Sequence, residues 1–246
     1  MAHKSIIRLE GVGVSFPRQS LLRRGEPFWA LENVSFDVRE GETLGVIGRN
    51  GAGKTTLLKV LAGILRPDRG TLINTGHRVA MLSLQLGFVA NLDGRDNAML
   101  SGILMGLTRA QVRARLGRIV DFAELGDFID EPVATYSAGM RARLGFAVAL
   151  ECNPDVVLID EILGVGDSDF RAKSAAAIEG LVRSNKTVVL VSHNADTIER
   201  LCERAVWIEQ RASRTFGEVG DVARAYRLSA APPTGHGSGP ASQTKV

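Results

Sequence analysis

Eight consecutive residues, Gly48-Arg-Asn50-Gly51-Ala52-Gly53-Lys54-Thr55, constrain this chain more than any other feature. They read G-x-x-x-x-G-K-T, a loop that wraps an anion in successive backbone N–H groups. Its glycines allow the tight path. The Lys54 ammonium can reach the β- and γ-phosphates of a nucleotide, and the Thr55 hydroxyl can ligate Mg²⁺. Glu42 to Ile47 reads as a buried strand and Thr56 to Ala62 as a helix. That strand–loop–helix setting is what such a loop needs, and the helix N-terminus adds a favourable dipole for phosphate. A Gly-rich turn bearing a surface lysine would account for the glycines but not for the flanking pattern.

The 246 residues suffice for one large domain or two small ones, and at 45% hydrophobic composition they can build a core. No apolar run approaches the roughly 18 residues of a membrane helix. Leu144 to Leu150 is among the longest. The first residues, Met-Ala-His-Lys-Ser-Ile-Ile-Arg, carry no apolar leader, so no secretory signal is expected. A net charge of +3 is too weak to argue for nucleic acid. The basic cluster from Arg18 to Arg24 reads as a solvated loop, with anionic lipid or a partner at the membrane as the alternative. Cys152 and Cys202 lack metal-like spacing and are expected to be buried free thiols.

Residues 6–16 and 29–38 alternate like early strands, and Pro17, Gly25 and Pro27 mark a loop between them. Val79 to Leu84 is a further short strand. Asp96 to Met105 and Thr108 to Val120 have helical spacing, with Thr108 as an N-cap. Residues 155–160 and 187–192 are continuous apolar, mostly β-branched runs, the pattern of parallel strands covered on both faces. Helical segments at about 169–183 and 195–201 follow them and lead to a strand over 204–209, a βαβ succession. From Ala230 onward the Pro/Gly/Ser composition is that of a flexible tail.

The strand Val156-Val-Leu-Ile ends in Asp160 and Glu161. Asp160 suits a direct or water-mediated hold on Mg²⁺, and Glu161 suits polarising a water for attack on the γ-phosphate. A solvated acidic turn is the plainer reading of the pair taken alone. His193 ends another buried strand and can donate to the γ-phosphate or orient Glu161. Ser137 can cap the helix that carries Gly139 in its first turn, a second candidate anion site at a helix N-terminus.

In order along the chain, these motifs resemble those of the ATP-binding subunit of an ABC transporter. Gly48 to Thr55 matches the Walker A motif, Val156 to Asp160 the Walker B motif and Glu161 the catalytic glutamate. Tyr136-Ser-Ala-Gly-Met140 resembles the signature motif, Gln85 the Q-loop glutamine and His193 the switch histidine. Ala138, Met140 and the run Ile-Leu-Gly-Val-Gly-Asp167 depart from the common forms. These variants, with Leu86 to Asn97, are similar to the subfamily that exports polysaccharides and teichoic acids.

The resemblance implies an α/β P-loop NTPase fold: an ABC ATPase domain over residues 5–228 with a mixed sheet core. It adds an N-terminal antiparallel β subdomain, a helical subdomain at about 86–138, and a tail over 229–246. It also implies ATP and Mg²⁺ as cofactors. The nucleotide would be held by Gly48, Asn50, Gly51, Ala52, Gly53, Lys54, Thr55 and Thr56, with Ser137 and Gly139 contributed by a second copy. Thr55, Gln85 and Asp160 would surround the metal, and Lys54, Glu161 and His193 would serve catalysis. Phe16 would stack on adenine, with Trp29 as the second choice and ordinary core packing as the alternative for either.

The implied partners are a second copy in a head-to-tail homodimer and an integral membrane permease, with no nucleic acid. The implied location is the cytoplasmic face of the inner membrane. The implied cargo is a lipid-linked glycan of O-antigen, capsule, teichoic acid or galactan type. An exporter of another cargo, or an ABC ATPase acting on DNA or the ribosome, remains the alternative.

Overall fold

The computed structural model describes residues 4–17, 26–82, 87–160 and 167–230. In chain order the elements are β1 (Ser5–Phe16), β2 (Phe28–Arg39), β3 (Thr43–Ile47), α1 (Lys54–Leu61), β4 (Arg69–Asn74), β5 (Val79–Met81), α2 (Gly94–Leu104) and α3 (Arg109–Ala123). Next come α4 (Ala138–Glu151), β6 (Val156–Ile159), α5 (Ser168–Val182), β7 (Thr187–Ser192), α6 (Ala195–Leu201), β8 (Arg204–Glu209), β9 (Ala212–Glu218) and α7 (Val219–Ala230). They form one nine-stranded mixed sheet in the order β4-β1-β2-β9-β8-β3-β7-β6-β5.

Strands β8, β3, β7, β6 and β5 run parallel. β3, β6 and β7 are buried at every position. Alternation sorts their side chains between two layers. Leu44, Val46, Leu158, Val189 and Val191 pack toward α1, whereas Ile47, Val157, Ile159, Val188 and Leu190 pack toward α5, α6 and α7. Apolar contacts on both faces explain the uninterrupted hydrophobic runs. Each fully buried Val, Leu or Ile contributes about 1.5–3 kcal/mol.

The antiparallel part, β4-β1-β2, joins this sheet through a single parallel pairing of Asn33 with Ala212. β4 and β9 are mostly exposed or half-buried and lack the alternation by which strands are recognised. α7 extends to Ala230, and residues 231–246 lie outside the described residues.

Helices α2, α3 and α4 share a second core of Ala98, Val112, Ile119, Leu144, Ala147 and Val148. The opposite side of α4 buries Phe146 and Ala149 against the main sheet layer. A helix with apolar partners on two sides needs no polar stripe, which accounts for the run Leu144–Leu150. Phe122, Phe146 and Phe170 seal the joint, with ring centroids 5.7–6.1 Å apart. Thr108 caps α3 in a reciprocal capping box with Gln111. Among the described residues, no helix is long and apolar enough to cross a membrane. Cys152 and Cys202 are buried and free, and burial raises their thiols to about 11 and about 12.

Candidate functional site

Parallel neighbours bring the carboxyl ends of β3 and β6 to one edge of the sheet, separated by β7. The first carries Gly48 and the second Asp160. Gly48 can only be glycine here, because a Cβ would collide with the Ile208 carbonyl oxygen. Gly53 ends the loop with φ of 99°, in the left-handed region, and a Cβ there would sit 2.5 Å from the Ala30 carbonyl oxygen. The turn closes through Ala52 N–H donating to Arg49 O at 3.2 Å. α1 then starts at Lys54 with no acidic residue in its first turn, so its positive end is not neutralised locally.

Within the loop, Lys54 Nζ donates to the carbonyl oxygens of Gly48 at 2.7 Å and Arg49 at 3.0 Å. These bonds bend the ammonium back over the loop. Thr55 Oγ1 donates to Asp160 Oδ2 at 3.1 Å, spanning 105 residues of sequence. A hydroxyl and a carboxylate so joined suit a hard cation that takes its remaining oxygens from phosphate and water. Among the described residues no cluster of three His, Cys, Asp or Glu side chains offers an all-protein cage. The donor set thus fits Mg²⁺ bound with a nucleotide.

A cleft of about 400 Å³ opens above the loop, lined by Phe28, Ala30, Asn50, Gly51, Gly53, Lys54, Thr55, Thr56 and Asp160. Gly48 touches it through Lys54, and Ala52 turns toward the core. Phe16 does not line the cleft. It pairs across the β1–β2 ladder with Phe28, which does, and both are about 40% exposed. The Arg211 guanidinium lies 4.9 Å from the Phe28 ring centroid. Trp29 points the other way, with the Arg69 guanidinium 4.1 Å above its ring. Phe28 is a cleft residue that the sequence pattern does not single out.

Ser137 and Gly139 do not line this cleft. Ser137 Oγ accepts from Met140 N–H at 3.1 Å, and Tyr136 is buried and donates to Phe128 O at 2.5 Å. The N-terminus of α4 is therefore held firmly without contributing to its own chain's nucleotide cleft. His193 is exposed and lines a separate groove between α5 and α6. Gln85 and Glu161 lie outside the described residues, as do the basic cluster from Arg18 to Arg24 and the run 162–166. Arg143 of α4 forms an ion pair with Asp167, the residue that caps α5 by accepting from Phe170 N–H at 3.0 Å.

Comparison with known proteins agrees with this geometry. A family model described as ABC transporter matches residues 31–164. The O-antigen export system ATP-binding protein RfbB of Klebsiella pneumoniae is 43% identical over 210 residues, 85% of each chain. The protein of that name in Myxococcus xanthus is 48% identical over 198 residues, and this chain spans only 45% of its length. The teichoic acids export ATP-binding protein TagH of Listeria innocua is 38% identical over 201 residues, with 60% of its length spanned. Among solved structures, an ATP-binding cassette captured as a dimer with ADP and phosphate matches at TM-score 0.69 and 23% identity, over 87% of this chain and 98% of that one. At that identity the likeness speaks for the fold alone. With the family model covering over half of the chain and a 43% identical relative matched along most of its length, the chain belongs to the ABC transporter family, as an ATP-binding cassette.

Proposed function

We propose that this chain is the ATP-hydrolysing subunit of an exporter that moves a lipid-linked polysaccharide across the inner membrane through a separate permease. The observation that carries the reading of the cargo is the 43% identity to an O-antigen export ATP-binding protein along 85% of both chains. The chemistry is carried by the Lys54–Thr55–Asp160 constellation at the mouth of the cleft.

In this reading the adenine stacks at the Phe16–Phe28 pair and the phosphates lie against the loop amides and the N-terminus of α1. Lys54 moves from its loop carbonyls to the β- and γ-phosphate oxygens. Thr55 and Asp160, with Gln85, would hold Mg²⁺. When bound, Mg²⁺ neutralises charge building on the phosphates. Glu161 accepts a proton from the attacking water, and His193 holds the γ-phosphate or orients Glu161. Ser137 and Gly139 of a second copy cover the γ-phosphate from the opposite side, so two copies packed head to tail make two equivalent sites. ATP favours the closed pair because that contact exists only while the γ-phosphate is present.

The surface around α2 exposes Val89, Ile103 and Leu104, and suits an apolar element of the permease. The division into a catalytic unit over 5–228, with a helical part over about 86–138, and a tail over 229–246 belongs to the same proposal. So does a location on the cytoplasmic face of the membrane, through the permease.

The test is ATP turnover by the purified chain with and without its permease, combined with export in cells lacking the chain. Stimulation by the permease, and cells that accumulate polysaccharide on its lipid carrier until wild-type protein but not Glu161→Gln is supplied, are expected. Normal polysaccharide export in the deletion strain would overturn the cargo assignment.

A further inference from the structure

α7 reaches both halves of the site. Val222 and Ala223 are fully buried against the layer that contains Ile198 and Trp207, which fixes the helix on the sheet. From that anchor, Tyr226 lays its ring against Trp207, with centroids 6.0 Å apart at 79°. Trp207 pairs in register with Ile47, the residue before the phosphate loop. The Tyr226 hydroxyl donates a long hydrogen bond, 3.4 Å, to the His193 carbonyl oxygen. Arg227 grips the first turns of α6, which begins directly after the His193 turn. Its guanidinium donates to Asp196 at 2.6 Å and to both oxygens of Glu199, one at 3.1 Å. Two residues further, in the same C-terminal turn of α7, Ser229 O accepts from Arg49 of the phosphate loop at 3.3 Å.

One helix thus ties together the loop that holds phosphate and the turn that presents His193. The His193 turn has some order of its own, since Asn194 caps α6 and its N–H donates to Ser192 Oγ at 3.0 Å. Those bonds fix its local shape. The β3–β7 ladder carries that turn as far as the pair Ile47–Ser192, and beyond this last pair the C-terminal turns of α7 add side-chain ties to both the His193 turn and Arg49.

We propose that α7 is a strap that holds the His193 turn and the phosphate loop in place beyond the last pair of the β3–β7 ladder, with Tyr226 and Arg227 as positioning residues for ATP hydrolysis. The inference rests on the reading of His193 as the γ-phosphate sensor. It adds that the C-terminal helix, together with the β3–β7 ladder, holds this sensor in position. Neither residue touches the nucleotide cleft, so their loss should spare ATP binding and slow the chemical step.

Tyr226→Phe, Arg227→Gln and Arg227→Lys would be compared with wild type and with His193→Ala. The readouts are affinity for ATP, kcat, KM, and NMR spectra of ring-labelled histidine, with the His193 signal identified from its absence in His193→Ala. Tyr226→Phe deletes one hydroxyl and keeps the packed ring, so it reports even where Arg227→Gln folds poorly. In Tyr226→Phe and Arg227→Gln, kcat is expected to fall about tenfold or more, as small misplacements of a reacting group do. ATP affinity should stay within about twofold of wild type, because uniform binding is untouched. The His193 ring signal should shift while that of His77 does not, and Arg227→Lys should recover most of kcat.

Unchanged kcat, a loss confined to ATP affinity, or an unmoved His193 signal would overturn the strap. Wild-type turnover in His193→Ala would instead overturn the reading of His193 itself, and the strap with it.

Discussion

In the proposed mechanism Lys54 and Glu161 do separate work, and their removal should separate accordingly. Lys54 would contribute a charge-assisted hydrogen bond to phosphate, worth about 1.5–3 kcal/mol. Lys54→Ala should therefore weaken ATP binding about 10- to 100-fold in a direct titration. In that mechanism Glu161 would act on the water rather than on the nucleotide, so Glu161→Gln should keep that affinity and lose turnover by about 10²- to 10⁴-fold. Near-normal hydrolysis in Glu161→Gln would remove the base from the mechanism.

The thiols show the opposite case, residues whose surroundings suppress chemistry. Burial raises Cys152 to about 11 and Cys202 to about 12. At pH 8 a thiol with a value near 11 is thiolate in only about one molecule in a thousand. Iodoacetamide at pH 8 should label neither cysteine appreciably in the native chain and both rapidly in denaturant. Prompt native labelling would mean that one of them is reachable and activated.

At the scale of an element, the approach to α2 hangs on Asn97. Its buried amide accepts from Val89 N–H at 2.7 Å and donates to the carbonyls of Val89, Leu92 and Asp93 at 2.9–3.0 Å. Asn97→Ala leaves the Val89 N–H without its partner and strips one donor from carbonyls that each keep a backbone N–H, and should cost about 1–3 kcal/mol in denaturant unfolding. The loss should concentrate in faster amide exchange over residues 88–93.

Elements of this kind also show what the sequence could reveal. β3, β6 and β7 were readable because apolar contacts on both faces leave a continuous hydrophobic trace, and α3 because its cap is written in Thr108 and Gln111. β4 and β9 left little trace, being mostly exposed or half-buried. α7 carried a usable one in Val219, Val222, Ala223 and Tyr226, spaced as one helical face, but Arg and Gly residues dilute it. The phosphate loop was legible because local backbone geometry demands its glycines. Phe28 was not, since several register shifts between β1 and β2 obscure which residues face the cleft. The link from Tyr226 to His193 depends on tertiary packing that no local pattern encodes.

For the whole molecule, the question is what joins the antiparallel and parallel halves of the sheet, which share one parallel bridging pair. Arg204 of β8 supplies a buried polar tie. It pairs with Asp37 of β2 at 3.0 Å and with Glu42, just before β3, at 3.2 Å, and its guanidinium lies 4.4 Å from the Phe216 ring centroid. Glu42 is buried, and desolvation holds its carboxyl above the usual range despite the Arg39 N–H and the Arg204 guanidinium that favour the charged form. Removing the cation leaves that charge buried and uncompensated, so Arg204→Met should cost about 3–5 kcal/mol.

The pH dependence of that cost has a definite sign. Without Arg204 the carboxyl of Glu42 rises further in the folded chain, and a group raised on folding favours the fold only while protonated. The deficit of Arg204→Met relative to wild type should be smallest near pH 4.5, the ordinary glutamate value, and grow as pH rises through the elevated folded value. Paired unfolding curves from pH 4.5 to 7.5 would measure it, and a deficit flat across that range would exclude Glu42 as its source.

The same scale governs the completeness of the catalytic site. The cleft is lined on one side by the phosphate loop and β2, while Ser137 and Gly139 lie outside it on the helical part of the chain. An intramolecular closure would have to tear α4 from Phe170 and from the core it shares with α2 and α3, breaking the packing that seals the joint. A second copy can reach the open side with both parts intact. Ser137→Arg places a bulky cation at the proposed contact but does not line its own cleft, so monomeric ATP binding should persist within about twofold of wild type. In the slow-hydrolysing Glu161→Gln background, light scattering should show ATP-dependent dimers that Ser137→Arg abolishes. Dimers of undiminished strength in the double variant would mean that α4 does not face the partner's nucleotide.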